Sequence, residues 1–439
     1  QGSTMSLRNS RVGTTTFKGL NLDGTSNVEL DASLKTGTAD KVQAETVEGT
    51  GTLNVSTVNV VTNSKTPVEI NVGKDSVVSS ISTNKAESAE ATYKLKSYYD
   101  ENGLLRVVAY GQKAKSAAIA APIAAQIGGY LAQINSYDQA FGNLDTEMLL
   151  TREERDAREM MNKYACASGC ATVQEDNTIN LNSKGLWNRA FATFEKVNLS
   201  GGPNVSNVGY GNYFGGDMGK KALSNGWSRQ MSAYIGYNGS TQDYDRQCID
   251  QNGGTIGLME TWYKGNFFTA LTANVGGNNA QAHTDIGREN MSMLMAGVAS
   301  KTGYNFEFKN GKFIVQPSLL VSYSFIHTFE HNNGLGHRVS SDPIHAIQVA
   351  PGVKFVANLK NGWQPYFGIN MRWNIMDKSH FSIPDVTIPT MSVDPYVEYG
   401  FGVQKRWGDR FTGYGQAMVR NGGRNGVMLS IGFRWAIGK

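Results

Sequence analysis

The stretch VMLSIGFRWAI at Val427 to Ile437 decides the fold, because its two sets of alternate side chains differ in character. One face carries large apolar residues, which are Val427, Leu429, Ile431, Phe433, Trp435 and Ile437. The other face carries Met428, Ser430, Gly432, Arg434 and Ala436. A strict period of two predicts a β-strand. An apolar stripe opposite a small or polar stripe indicates a strand between lipid and a lumen, as in a transmembrane β-barrel.

Two upstream segments, Trp363 to Ile375 and Val393 to Arg406, repeat this split between an apolar and a polar face. The polar faces of the three segments supply our candidates for lumen-facing residues, which are Arg372, Asp394, Glu398, Gln404, Arg406 and Arg434. Burying such Arg and Glu rows in a dry core would be costly. A water-filled lumen therefore fits better than the alternative, a soluble all-β protein of several sandwiches.

Further strands give a barrel of about twelve, an even number as bacterial barrels usually have. Their predicted centres are Phe191, Tyr210, Ile235, Leu258, Leu271, Val298, Val321, Val353 and Tyr414. Short links alternate with predicted long loops at 239 to 252, 276 to 290, 327 to 343 and 377 to 390. We therefore predict an all-β, transmembrane antiparallel β-barrel over residues 186–439.

The chain before the barrel divides into two parts. Residues 1–112 contain short runs rich in Val, Thr, Ser and Asn, such as Asn54 to Val61, which predict a β-solenoid-like unit or, alternatively, a short sandwich. A hairpin with the turn Asp100 to Gly103 closes this unit. Residues 113–185 begin with a predicted helix, Lys113 to Phe141, whose roughly thirty residues at ~1.5 Å each would span a membrane lengthwise. A second, charged helical piece is predicted at Thr146 to Tyr164.

Composition excludes several functional classes. With 50 Gly, 19 Tyr, 18 Phe and 18% charged residues, the chain is too polar for a helical membrane protein and too aromatic for a disordered one. No block of Lys or Arg interleaves with aromatic residues, so nucleic acid is not an expected partner. The segment His327 to His331 matches the H-x-x-E-H zinc pattern, but it ends a strand rather than lying on a helix. We therefore expect no enzyme activity, no metal and no cofactor.

The three cysteines suggest one small covalent loop. In an oxidising envelope compartment, Cys166 and Cys170 are candidates for a disulfide, which leaves Cys248 as an unpaired thiol or an alternative partner. No signal peptide opens the chain, and Gln1 to Met5 looks like residues left by cloning. We therefore expect a processed or truncated piece of a longer exported protein.

A short solenoid, a closing hairpin, a pore-length helix rich in small residues and a twelve-stranded C-terminal barrel, in that order, resemble the C-terminal part of an autotransporter, the type V secretion family. The resemblance implies a translocator that inserts in the bacterial outer membrane and exports and anchors an N-terminal passenger at the cell surface. The implied partners are outer-membrane lipid and lipopolysaccharide, the barrel-assembly machinery, periplasmic chaperones and the chain's own passenger.

The resemblance also assigns residue roles and leaves alternatives. The final strand resembles the family's membrane-insertion signal, carried here by Val427, Leu429, Ile431, Phe433 and Trp435. A porin-like outer-membrane channel with a surface domain is the first alternative. The second is a self-cleaving autotransporter, in which Asn135 would act with Asp138, Asp394 and Glu398.

Overall fold

The computed structural model describes residues 3–167, 184–200, 202, 204–244, 247–309, 311–359, 362–376, 381–388, 391–408 and 410–437. The first eleven strands are β1 (Thr4–Ser6), β2 (Thr14–Asn21), β3 (Thr25–Ser33), β4 (Thr38–Ala39), β5 (Lys41–Glu48), β6 (Thr52–Thr62), β7 (Val68–Asn71), β8 (Val78–Ile81), β9 (Lys85–Glu87), β10 (Ala91–Tyr99) and β11 (Leu105–Ala114). We call the unit that they form the stem. A long helix, α1 (Ser116–Ala167), follows it.

The remaining strands follow the helix. Twelve of them form the barrel wall: β12 (Gly185–Ser200), β13 (Asn204–Asp217), β15 (Ser228–Tyr244), β16 (Gln247–Lys264), β17 (Phe267–Thr284), β18 (Gly287–Tyr304), β20 (Phe313–Thr328), β23 (Ile344–Ala357), β24 (Trp363–Met376), β28 (Tyr396–Trp407), β29 (Phe411–Gly422) and β30 (Arg424–Ala436). The others are short: β14 (Lys221–Ala222), β19 (Phe306–Phe308), β21 (His331–Asn332), β22 (Arg338–Ser341), β25 (Phe381–Ile383), β26 (Val386–Thr387) and β27 (Ser392–Val393).

The stem is a short β-solenoid, as the sequence predicts. Strands β3 and β6 pair in parallel, and Thr25 lies opposite Thr52, so the chain advances by one coil between them. The Asn54 side chain donates to the Asn27 side chain at 2.9 Å, which continues the stacking outside the backbone ladder. The hairpin β10–β11 closes the unit, and Gly103 adopts the positive φ (69°) that its turn requires.

The helix is one continuous element, which differs from the two separate pieces predicted from sequence. We expected a break after Phe141, but the helix continues through Gly142 and Asn143. Glycine suits position 142 because the Arg189 side chain occupies the space where the Cβ of any other residue would lie. Within the described part of the chain, no helix combines the length and the apolar character that a lipid-spanning helix requires.

The wall is a closed, twelve-stranded antiparallel barrel, which confirms the predicted fold class. Each wall strand pairs with its neighbours in chain order, and β12 pairs with β30 over Gly185–Val197 to close the ring. All nine predicted strand centres fall in these twelve strands, and the three alternating segments lie mainly in β24, β28 and β30, although Val393 belongs to the short strand β27. The helix lies in the lumen and packs on β13, β15, β16, β17, β18 and β20.

Two predicted long loops are wrong. Residues 239 to 252 and 276 to 290 lie mostly in β15–β16 and β17–β18, and the second hairpin turns through Asp285 and Ile286 alone. These strands extend past the predicted lipid zone, where outward side chains need not be apolar, so backbone pairing continues after the hydrophobic alternation stops. We call this end of the barrel the stem end.

The other two predicted long loops contain extra structure at the stem end. Strands β21 and β22 lie between β20 and β23, strands β25 and β26 lie between β24 and β28, and together they form a four-stranded sheet. Buried side chains of this sheet, including Val339, Phe381 and Val386, join one hydrophobic core with the stem. The stem therefore packs on the loops at this end of its own barrel.

Candidate functional site in the barrel lumen

The first feature of the lumen is close contact between the helix and the wall at glycines. Gly128 leaves room for the Gln251 amide, which donates to the Ala125 carbonyl at 2.9 Å. On the wall, a Cβ at Gly297 would overlap the Tyr137 hydroxyl, which instead donates to the Tyr323 carbonyl at 2.8 Å. Glycine at both positions thus lets the helix and the wall approach closely enough for a side chain of each one to hydrogen-bond with the backbone of the other.

Amide and hydroxyl side chains extend this contact along the helix. Asn274 of β17 donates to Ser136 Oγ at 2.8 Å and accepts from Gln133. Tyr130 donates to Asn374 Oδ1 of β24 at 2.9 Å, on another part of the wall. Each of these hydrogen bonds offsets part of the cost of removing its polar groups from water.

A chain of buried charges connects the helix to the wall. Asp138 of the helix accepts from Arg372 of β24 at 2.9 Å, and the same guanidinium donates to Glu398 of β28 at 3.1 Å. The other Glu398 oxygen accepts from Arg420 Nε of β29 at 2.7 Å. Because each carboxylate lies beside a guanidinium, these charges stay paired, although Arg372, Glu398 and Arg420 are buried and Asp138 is only 12% exposed.

The chain of charges ends at the seam where the first and last wall strands meet. Glu195 of β12 accepts from Arg420 of β29 at 3.2 Å. It also accepts from Arg424 of β30, at 2.7 Å through Nε and at 2.5 Å through Nη2. The side chains of all three residues are fully buried. The same network therefore contacts the helix and closes the barrel.

A second group of charges lies nearer the opposite end of the barrel. Asp145 of the helix accepts from Lys301 of β18 at 2.8 Å and from Lys354 of β23 at 2.5 Å. Two lysines from different strands therefore hold one carboxylate of the helix.

Asp217 at the end of β13 organises a third cluster. Its Oδ1 accepts from Asn143 of the helix at 3.1 Å and from Trp187 Nε1 at 3.1 Å, while its Oδ2 accepts from Arg434 Nε at 3.0 Å. Asp217 thereby joins the helix to β12, β13 and β30.

A polar cavity of about 120 Å³ remains between the helix and the wall. Asp145, Arg189, Lys354, Arg372 and Glu398 are among its lining residues. The helix therefore leaves a small polar space beside the charged contacts.

The six lumen-facing candidates lie in different places. Arg372, Glu398, Gln404 and Arg434 are buried inside the wall. Asp394 lies half-buried between β27 and β28, where its carbonyl accepts from Asn374. Arg406 donates through Nε to the Gly408 carbonyl at 3.0 Å, close to the turn after β28.

The five residues of the candidate insertion signal point away from the lumen. Val427, Leu429, Ile431, Phe433 and Trp435 are all exposed on β30, and Ile431 is the most exposed at 66%. Their exposure suits contact with lipid, and their role as a signal for assembly stays a prediction.

The cysteine predictions fall largely outside the structural description. Cys170 is not among the described residues, so the candidate pair with Cys166 lies outside them. Cys248 is at the second position of β16 and is free within the described part of the chain.

The surroundings of the self-cleavage candidate are rich in amides. Asn135 lines a small pocket with Asn207, Asn238 and Asn278. Asp138 and Glu398, the predicted acidic partners, instead bind Arg372. Self-cleavage at Asn135 therefore stays a prediction, in which Arg372 already engages two of the three acidic partners.

The H-x-x-E-H segment does not form a single cluster. His327 stacks edge-on against Phe329, and Glu330 pairs with Arg338. His331 approaches Glu289 of β18 instead. Among the residues described, no group of three or more His, Cys, Asp or Glu side chains is placed to hold a metal ion.

Sequence reasoning missed several lumen residues. Glu195, Arg420 and Arg424 were not among the candidates. Glu195 nevertheless lies on the same face of β12 as the buried Phe191. Extending the alternation of the last strand back to Arg424 would have found that residue too. The odd or even position of a residue along its strand indicates which face its side chain occupies. It does not indicate the pairing register that brings the charges together.

The stem end contains a further buried contact. Glu90, just before β10, is buried and accepts from Asn63 of the stem at 2.8 Å. Its other oxygen accepts from Asn333 at 2.7 Å and lies 2.8 Å from His337 Nδ1, both in the loop between β21 and β22. One stem carboxylate thus binds this barrel loop directly.

Comparisons with known proteins agree with this geometry. The profile of the autotransporter beta-domain matches residues 186–417, more than half of the 439-residue chain. The transport unit of the autotransporter AIDA-I from Escherichia coli is similar in structure, with a TM-score of 0.51, 16% identity, and coverage of 64% of this chain and 98% of that one. No curated protein sequence matches the chain.

Two further solved structures are also similar. The beta domain of the Bordetella autotransporter BrkA has a TM-score of 0.48 and 19% identity, over 58% of this chain and 100% of that one. The translocator domain of NalP from Neisseria meningitidis has a TM-score of 0.48 and 12% identity, over 65% of this chain and 97% of that one.

The fold and the lumen define an outer-membrane β-barrel with a helix inside its pore. More particularly, the chain belongs to the autotransporter family, and its barrel is the translocator β-domain.

Proposed function

We propose that this protein exports its N-terminal passenger through the barrel and then anchors it at the cell surface, with the pore closed by α1. The observation that carries the proposal is the path of the chain. It leaves the stem at Ala114, enters the lumen at Ser116 and passes along the wall to Asp145, near the opposite end. Residues 1–112 would be the base of the passenger, 113–185 the pore helix with its extension, and 186–439 the translocator.

Several contacts support a closed state after export. The helix is bonded to the wall by neutral groups at Tyr137 and by charges at Asp138 and Asp145. The stem in turn rests on the outer loops through Glu90. In this proposal, lipid and lipopolysaccharide surround the exposed apolar belt, and the barrel-assembly machinery and periplasmic chaperones act before insertion. No nucleotide, cofactor or covalent step is needed.

The orientation is tested by placing an epitope at either end of the barrel. One variant carries it in the exposed stem turn after Asn102, and the matched control carries it after Gly265 in the turn between β16 and β17. We expect antibody to label intact cells only for the first variant and permeabilised cells for both. Labelling of intact cells at Gly265, or its absence at Asn102, would reject the proposed orientation.

The closed pore is tested in planar bilayers. Deleting residues 113–141 from the full chain should convert a nearly silent barrel into a stably conducting one, because the lumen then fills with water. Whether the deletion variant is folded is checked by its resistance to unfolding in SDS without heating. If the folded deletion variant conducts no more than the parent, the helix does not close the pore, and a porin-like channel becomes the better interpretation.

A further inference from the structure

A buried carboxylate at the stem end lacks the hydrogen bonds that such a group normally has. Glu289 is the third residue of β18, and its side chain is fully buried. Within the described part of the chain, neither of its carboxylate oxygens has a hydrogen-bond partner. An unpaired buried carboxylate is costly, so its environment favours a bound cation.

The nearest side chain supplies a metal-binding atom rather than a hydrogen bond. His331 Nε2 lies 3.6 Å from Glu289 Oε2, the His331 side chain is only 6% exposed, and this nitrogen also lacks a hydrogen-bond partner among the described residues. At 3.6 Å the two atoms are beyond ordinary hydrogen-bond distance. Two ligands at ~2.1 Å from a tetrahedral zinc ion lie about 3.4 Å apart.

The other ring nitrogen of His331 fixes the ring in the orientation that a metal ligand needs. His331 Nδ1 lies 3.3 Å from the Phe329 carbonyl oxygen. A carbonyl only accepts, so Nδ1 carries the proton, and in the neutral ring Nε2 presents its lone pair towards Glu289. A backbone carbonyl on the second ring nitrogen is the usual arrangement for a histidine that binds a metal.

We propose that Glu289 and His331 bind a divalent transition-metal ion, with zinc as the best match, and that water completes its coordination. The two ligands come from different elements, the wall strand β18 and the short loop strand β21. Two residues after His331, Asn333 binds Glu90 of the stem. The ion therefore fixes the loop segment on which the stem rests.

The experiment titrates zinc into the detergent-solubilised full chain and follows binding calorimetrically. Three variants are compared: Glu289→Gln, His331→Gln, and the control His327→Gln, which removes a histidine four residues away that packs on Phe329 instead. We expect Glu289→Gln and His331→Gln each to weaken zinc binding at least about tenfold. The control should bind as the parent does.

A second readout separates this site from zinc bound elsewhere on the surface. Zinc should slow protease cleavage within residues 331–341 in the parent and in His327→Gln, and a chelator should reverse the protection. Resistance to unheated SDS confirms that each variant is folded. Absence of zinc binding in the parent, or equal binding and protection in folded His331→Gln, would overturn the proposal and leave the two side chains as an ion pair.

Discussion

Replacing Asp145 with Asn should release the helix from the wall. This carboxylate accepts from Lys301 at 2.8 Å and Lys354 at 2.5 Å, and only 13% to 21% of each of the three side chains is exposed. Asp145→Asn leaves two ammonium groups close together without their counter-charge while the helix is in the pore. When the helix leaves, water hydrates both lysines, so the cost falls on the closed state alone.

The size of the effect follows from the burial of the cluster. Removing one partner of a fully buried ion pair costs about 3 to 5 kcal/mol, and the residual exposure reduces this to about 2 to 4 kcal/mol. At 1.36 kcal/mol per factor of ten, the open fraction should rise roughly 30- to 900-fold. Single-channel recording in planar bilayers measures this fraction directly.

A second substitution makes the test specific. Adding Lys301→Gln to Asp145→Asn removes one of the two unpaired ammonium groups, so the double variant should open less often than Asp145→Asn alone. The reasoning is refuted if Asp145→Asn opens as rarely as the parent, or if Lys301→Gln increases its opening further.

Three other substitutions test the wall. Gly297→Ala places a methyl group against the Tyr137 hydroxyl and should lower the temperature at which the barrel unfolds in SDS, whereas Gly415→Ala, whose nearest neighbour would lie 3.9 Å away, should not. Glu195→Gln leaves the fully buried Arg420 and Arg424 without their shared carboxylate and should destabilise the seam by about 3 to 5 kcal/mol in urea unfolding. The control Glu260→Gln, in the partly exposed pair with Arg229, should cost less than about 1 kcal/mol. Ile431→Arg on the lipid face should reduce insertion into vesicles by about 2 to 4 kcal/mol, whereas Ile431→Leu should insert normally. Equal behaviour of each variant and its control would contradict the assigned environment.

The sequence predicts the barrel well because lipid and lumen impose opposite demands on successive residues. In β30, Ile431 faces lipid while Ser430 and Arg434 face the lumen, so the order of apolar and polar residues in the sequence has a period of two. The strand ends follow less well from the sequence. In β15, Ser240 and Thr241 remain paired with β16 beyond the apolar zone, where nothing in their polarity distinguishes a strand from a loop.

The lumen network is harder to predict because it depends on register between distant strands. Glu195 meets Arg424 across a separation of 229 residues, and that contact exists only because Gly185 pairs with Ala436 and the register continues along the seam. Alternation fixes which way Glu195 points, whereas the partner is fixed by closure of the ring. Shifting the seam by two residues would preserve every inward-facing side chain and still separate this pair.

The helix charges have a spacing that fixes the depth of the helix in the pore. Most of its stem-end half consists of small or apolar side chains such as Ala121, Ala124 and Ile127, which carry no charge that would select a depth. Asp138 and Asp145 are seven residues apart, about 10.5 Å along the axis, and each meets cations from different wall strands. Sliding the helix by one turn, about 5.4 Å, would move both carboxylates away from their partners at once. The two carboxylates therefore select one resting position, the same one that the hydrogen bonds of Tyr130 and Tyr137 with the wall require.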